Sequence, residues 1–171
     1  MGILSGNPKK QPLHYGEVYS MWSYLLVVKG DYAKLQTFSN HTGDRDLKKL
    51  LEEMTQASKK EIEELEEVLK DNGVGVPPAP PEKPYADLED IPAGAKLSDP
   101  EISATASLML GEGLVTCSTI ISQCTREDLA MLFGQYHMNK AQVAAKALRL
   151  NKEKGWLVVP PMHTKVPNQE S

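Results

Sequence analysis

Metal-binding side chains are the first candidates for chemistry in this sequence of 171 residues. In four-helix bundles that hold two iron ions, each of two helices supplies a glutamate, and each of the other two supplies a Glu-x-x-His motif whose side chains share one helix face. The sequence contains four histidines, and none of them follows a glutamate by three residues. We therefore predict no ferroxidase or oxygenase centre. The sequence also contains no nucleophile elbow, phosphate-binding loop or zinc-finger spacing, and we predict no cofactor and no enzymatic activity.

A weaker set of possible metal ligands remains, made of Glu52, Glu112 and His137. If the last two helices turn between Cys124 and Thr125, Glu112 and His137 lie at equal distances from the turn and share one level of a bundle. Because buried polar groups need partners, we expect these two to form a hydrogen bond or ion pair inside the protein. A degenerate metal site that also uses Glu52 is one alternative, and no contact at all is the other.

Four glycines are predicted to lie near the same level, at positions 30, 111, 113 and 134. Each costs about 1 kcal/mol relative to alanine in a helix interior, so their presence needs a reason. We expect close approach between helices, with a small-ligand cavity as the alternative interpretation.

The composition excludes several classes of protein. The net charge of −4 provides no basic surface for nucleic acid, and the longest strongly apolar run, at 25–28, is far too short to span a membrane. Cys117 and Cys124 fall on one predicted helix, about 10 Å apart, which is too far for a disulfide. We predict a cytoplasmic protein with reduced cysteines and with neither nucleic acid nor membrane as a partner.

Prolines divide the chain into two helical halves. Residues 13–72 and 101–159 contain none, whereas seven prolines fall between positions 73 and 100. Gly43 interrupts the first half, and the region near Thr125 and Asp128, which have capping-box spacing, interrupts the second. We therefore predict helices over about 13–40, 44–72, 99–123 and 125–154.

The two halves repeat each other with an offset of 82 residues, which places Leu47 on Leu129 and Met54 on Tyr136. The connector at 73–98 can span about 80 Å as extended proline-rich chain, enough to run the length of a bundle and set the third helix parallel to the second. The predicted fold is all-α: a ferritin-like four-helix bundle of two repeated helical hairpins joined by one long Pro-rich crossover. We predict an extension at 1–12, one bundle domain at 13–155 and a non-helical tail at 156–171.

Several short segments resemble spore coat protein F-like sequences and an uncharacterised Bacillus family of ferritin-like four-helix proteins grouped with them. They are NKEKGW at 151–156 with the proline-containing tail after it, LSDPEI at 97–102, PLHYGE at 12–17 and LEDIP at 88–92. The resemblance covers about residues 12–165, and its motifs are structural. It implies a ferritin-like helical fold, assembly into the spore coat and other coat proteins as partners, and it implies no catalytic residue.

From these observations we expect a structural spore coat protein that works by packing and self-association. The first and third helices carry few charges and are apolar or small over more than one face, so we expect a homodimer through these two helices. The alternative function is binding of a metal or small ligand at a degenerate ferritin-like centre.

Overall fold

The computed structural model describes residues 11–163, and this part of the chain contains four long α-helices and no strand. They are α1 (Tyr15–His41), α2 (Arg45–Asp71), α3 (Asp99–Gln123) and α4 (Glu127–Glu153). The all-α fold and the four-helix bundle are therefore as predicted, and the helix ends fall close to the predicted ones. The predicted extension and tail extend beyond the described residues; the described part of the tail, 156–163, is non-helical.

The helix ends follow from local sequence signals. The His14 side chain caps α1, the Asp44 carboxylate caps α2 by accepting from the backbone N–H of Leu47 (3.0 Å), and Glu101 reaches back to the N–H of Ser98 at the start of α3 (2.8 Å). Beyond the ends of α2 and α4, Gly73 and Gly155 both adopt φ +71°, a left-handed conformation that glycine tolerates best.

The crossover between α2 and α3 runs along α1 and contains two short 3₁₀ turns, Leu88–Asp90 and Ala93–Ala95. Hydrogen bonds to α1 side chains hold it at successive heights: Trp22 donates to Gly75, Lys29 to Pro77, Asn40 to Pro84, and the N–H of Leu97 donates to His41. The contacts follow the direction of α1, so α3 begins at the end of the bundle where α2 began. The predicted parallel arrangement of α2 and α3 is therefore observed.

Each hairpin caps the turn of the other. Glu17 of α1 accepts from the backbone N–H groups of Thr125 (2.7 Å) and Arg126 (2.9 Å), which orients the start of α4. At the opposite end, Asp99 of α3 accepts from the Thr42 hydroxyl (2.6 Å) and the Gly43 N–H (3.1 Å). Glu17 and Asp99 are related by the same offset of 82 residues, so the repeat extends to these reciprocal contacts.

The predicted capping box at Thr125 and Asp128 is wrong. Arg126 occupies the N-cap position of α4 without a side-chain cap, and Asp128 instead pairs with the Arg126 guanidinium at 2.6 Å. Glu17 supplies the missing capping acceptor from another helix. A partner so distant in sequence leaves no local motif to detect.

The core lies between the two hairpins. Within the bundle, α1 packs on α2 and α3 on α4, α2 neighbours α4, and α1 neighbours α3. One half of the core is almost wholly aliphatic, around Leu47, Leu51 and Ile102; the other contains Tyr24, Phe133 and Tyr136. This second half also contains the polar residues of the candidate site.

The segment Ala93–Gln123, which includes all of α3, is long and apolar enough to cross a membrane by length and composition alone. Only 22 % of its most apolar stretch is buried in the bundle. Small residues such as Ser, Thr and Gly separate its larger apolar ones, so no long apolar run marks this segment in the sequence. The structure thus leaves a mostly apolar helix largely uncovered.

Candidate functional site

A groove of about 730 Å³ separates α1 from α3, and we call it the α1–α3 groove. It is lined mainly by Tyr19, Ser23 and Val27 of α1, Glu112, Thr116 and Ile120 of α3, and Lys140 of α4. Its walls mix apolar and hydroxyl side chains, and Lys140 reaches it from α4, the hairpin partner of α3. The floor of the groove therefore connects with the interior of the bundle.

Beneath the groove lies an ion cluster made of Tyr24, Glu61 and Lys140, which we call the central ion cluster. The Lys140 ammonium donates to both carboxylate oxygens of Glu61, at 2.7 and 2.9 Å, and the Tyr24 hydroxyl donates to one of them at 2.9 Å. The Glu61 side chain is only 3 % exposed and that of Lys140 is 16 % exposed. A charge buried this deeply is tolerated because its partner and its hydrogen bonds are in place.

Aromatic rings support the cluster from the side of α4. The Tyr24 ring meets that of Phe133 edge-on at 5.2 Å, and the Lys140 nitrogen lies 5.8 Å from the centroid of the Tyr24 ring. Burial, reinforced by the nearby Glu61 charge, raises the pKa of Tyr24 above its usual value, so the phenol stays protonated and serves as a donor. Burial likewise raises the pKa of Cys117, whose sulfur lies 3.5 Å from the Tyr24 hydroxyl.

Gly113 makes room for Lys140. A Cβ atom at position 113 would lie 2.8 Å from the Lys140 Cδ and 3.0 Å from its Cε. The lysine cannot simply swing aside, because its ammonium is held by Glu61. Gly113 and Lys140 therefore form one structural unit, in which a gap in α3 admits a side chain from α4.

The other three glycines are not explained by close helix approach, and that prediction is wrong for them. At Gly30, Gly111 and Gly134 a Cβ atom would meet nothing within 4 Å. Gly113 is crowded, but by a lysine side chain rather than by the backbone of a neighbouring helix. Of these four glycines, Gly113 alone lines the α1–α3 groove.

The structure does not bring the predicted ligand residues together. Glu52 is exposed on α2, Glu112 is exposed at the edge of the groove, and His137 is half-buried on α4. Among residues 11–163, Glu112 and His137 share no hydrogen bond or ion pair, and no group of three His, Cys, Asp or Glu residues could hold a metal ion. The prediction that Glu112 and His137 meet inside the bundle is therefore wrong.

The error has a simple geometric cause. Equal distance from a turn fixes the height of two residues but leaves their rotation about the helix axes free. Phe133 and Tyr136 occupy the core face of α4, and His137 follows Tyr136 by about 100° around the helix. The core face at this height is completed by Lys140, one turn beyond Tyr136.

The sequence did contain a signal for the central ion cluster. The offset of 82 residues pairs Lys140 with Ser58, Glu61 with Val143, and Tyr24 with Ala106, so each cluster residue corresponds to a small or apolar one. Glu61 also lies on the apolar stripe of α2, between buried Met54 and buried Leu65. A charged residue on a core stripe, opposite another on the second hairpin, predicts a buried ion pair.

The geometry can be set beside known proteins. The family described as "Protein of unknown function (DUF3231)" matches residues 1–168. The chain is 53 % identical over 163 residues to "Uncharacterized protein YvdQ" of Bacillus subtilis (strain 168), covering 95 % of this chain and 96 % of that protein. It is also similar to a crystal structure from Bacillus halodurans C-125, described as a "putative spore coat protein (BH2358)". The two chains are 55 % identical with a TM-score of 0.91, over 93 % of this chain and 100 % of that one. With a match over nearly its whole length and relatives this similar, the chain belongs to the DUF3231 family.

Proposed function

We propose that this protein is a non-enzymatic structural component of the spore coat that acts by self-association. The similar protein from Bacillus halodurans, described as a "putative spore coat protein", supports this location. The uncovered face formed by α1 and α3 supports the mode of action. This face, which we call the α1–α3 face, consists of the groove and the exposed apolar residues on either side of it.

The exposure of large apolar side chains on the α1–α3 face is the observation that carries the proposal. On α1, Tyr19 is 73 % exposed and Val27 is 59 % exposed; on α3, Leu108 and Val115 are 67 % and 68 % exposed. Single exposed apolar residues are normal, but a contiguous patch of them is typical of a protein–protein interface. Because the patch follows two neighbouring helices, a partner could cover both at once.

A second copy of this chain is the partner we propose for the face. Homodimers with a two-fold axis use the same patch on both subunits, so one apolar face is sufficient to form the interface. The face carries few charges, with Glu112 the only one on α3 beyond its first turn. Burying it in a dimer therefore removes little charge from water, and other coat proteins could pack on the surfaces that stay exposed.

The proposal can be tested in sporulating Bacillus cells with fluorescent fusions of the full chain. We expect the wild-type fusion to assemble into the coat fraction. Val115→Asp, which places a charge on the α3 side of the face, should remain in the soluble fraction of the mother cell. Met138→Asp is the matched control, because Met138 is 59 % exposed on α4, outside the face. Recovery of the wild type in the soluble fraction alone, or equal assembly of Val115→Asp, would contradict the proposal.

A further inference from the structure

We infer that the centre of the bundle is a binding site for a primary ammonium ion, which this chain fills with its own Lys140 side chain. The Glu61 carboxylate and the Tyr24 hydroxyl form the receptor, and Lys140 is the tethered ligand. The ligand class that fits the receptor is therefore a small primary amine in its protonated form. This inference concerns the interior of one chain and does not depend on self-association.

The contacts around the Lys140 nitrogen are those of an ammonium receptor. Both oxygens of Glu61 accept from it, within 2.9 Å, and Glu61 itself is held by the Tyr24 hydroxyl. The face of the Tyr24 ring adds a cation–π contact at 5.8 Å. Directional hydrogen bonds from a compact nitrogen to one carboxylate, over an aromatic face, select an amine cation over an anion or a neutral molecule.

The lysine stem occupies a passage from the α1–α3 groove to the receptor. Lys140 lines the groove and also lines a smaller cavity of about 40 Å³ inside the bundle, between Met54, Ser58 and Leu110. Its Cδ and Cε atoms fill the space left by the absent side chain of Gly113. Replacing Lys140 by alanine removes Cγ, Cδ, Cε and Nζ, and these four atoms have the size and shape of n-propylammonium.

The surrounding charges also favour a cation. Asp31 and Glu112 lie near the site, on the α1 and α3 walls of the groove. With Glu61 they provide three carboxylates near one ammonium, and Lys34 approaches Asp31 at 3.4 Å from the exposed side. An anion entering from the groove would meet net repulsion, whereas an alkylammonium ion would be attracted.

The internal repeat indicates that the receptor is a specific addition to the bundle. The corresponding positions in the other half, Ser58, Val143 and Ala106, form part of an ordinary aliphatic interior or its edge. None of these three counterparts carries a charge, although Ser58 and Val143 line the same cavity as Glu61 and Lys140. The receptor, its ligand and the Gly113 gap therefore belong to one half of the repeat and have no copy in the other.

Chemical rescue of Lys140→Ala tests the inference. Removing the lysine leaves Glu61 buried without its cation, so we expect the melting temperature of the full chain to fall by roughly 6 to 20 °C. We expect n-propylammonium chloride to raise it again in a saturable manner, whereas sodium chloride and sodium propionate at the same ionic strength do not. Wild type should show no such gain, because its site is filled.

Lys140→Met is the matched control. It removes the charge but keeps a side chain of similar length in the passage, so it should lose stability and show no rescue by n-propylammonium. Absence of rescue in Lys140→Ala, equal rescue by sodium salts, or equal rescue of Lys140→Met would overturn the inference. If Lys140→Ala does not fold in buffer, refolding from urea is the test: the helical circular dichroism signal should return with n-propylammonium chloride and not with sodium chloride. If the helical signal returns in neither salt, the inference is also refuted.

Discussion

Replacing Gly113 by alanine should destabilise the protein, although the same change in most helix interiors is favourable. Alanine is preferred over glycine by about 1 kcal/mol at such positions. At position 113, however, the new Cβ would lie 2.8 Å from the Lys140 Cδ, closer than packed carbon atoms allow. Overpacking of this kind costs about 1–3 kcal/mol, and displacement of Lys140 also weakens its bonds to Glu61. We therefore expect a net loss of about 1–2 kcal/mol.

Gly134→Ala provides the matched comparison, since it lies mid-helix in α4 with nothing within 4 Å of the added Cβ. It should stabilise the protein by up to about 1 kcal/mol. Urea unfolding followed by circular dichroism measures both changes, and a double-mutant cycle with Lys140→Met isolates the clash. In the Lys140→Met background, whose side chain is not held by Glu61, Gly113→Ala should cost less. Equal stabilisation by Gly113→Ala and Gly134→Ala would refute the coupling between Gly113 and Lys140.

Three further predictions follow from the described contacts. Burial opposes ionisation of Glu17, but N–H donors from Arg126, Thr125 and His14 outweigh this effect and hold the pKa of Glu17 below its usual value. The ionised carboxylate therefore stabilises the folded protein fully above about pH 4.3, and this stabilisation is lost as the pH falls through the lower folded pKa. Glu17→Gln should reduce this acid dependence in urea unfolding measured from pH 2 to 7; an unchanged profile would contradict the assignment. Burial, together with the charges of Glu17 and Asp128, raises the pKa of Cys124 to about 11, so a thiol reagent at pH 8 should label it roughly 100-fold more slowly in the native protein than in urea. Equal labelling rates would be incompatible with a raised pKa at this half-buried thiol. In air, Fe(II) should oxidise no faster with the protein than in buffer, because no Glu-x-x-His motif is present. Rapid oxidation that Glu112→Ala abolishes would contradict the predicted absence of a metal centre.

The fold could be predicted because its signals are local. Proline-free apolar stripes, the caps at Asp44 and Ser98, and Gly73 and Gly155 each act within a few residues, and they place the helix ends correctly. The topology followed from one length comparison, since a connector of that reach can return along the bundle. An apolar stripe, a helix cap and the length of a connector are each properties of one segment of the chain. The fold could therefore be predicted without knowledge of tertiary contacts.

The central site could not be predicted in the same way, because it depends on how helices are rotated against one another. Glu112 and His137 share a height but point to different surroundings, whereas Glu61 and Lys140, on α2 and α4, point at each other. The capping of α4 by Glu17 connects residues more than a hundred positions apart. Comparison of the two halves, position by position, together with the apolar stripe of α2, marks Glu61 and Lys140 as charged residues on core stripes.

The mass of the protein in solution tests the proposed self-association most directly. Light scattering at micromolar concentration should give a dimer of twice 18.9 kDa for the wild type and for Met138→Asp. Val115→Asp should give 18.9 kDa, because it places a charge in the α1–α3 face. A wild-type mass of 18.9 kDa, or a dimer that persists unchanged in Val115→Asp, would contradict self-association through this face.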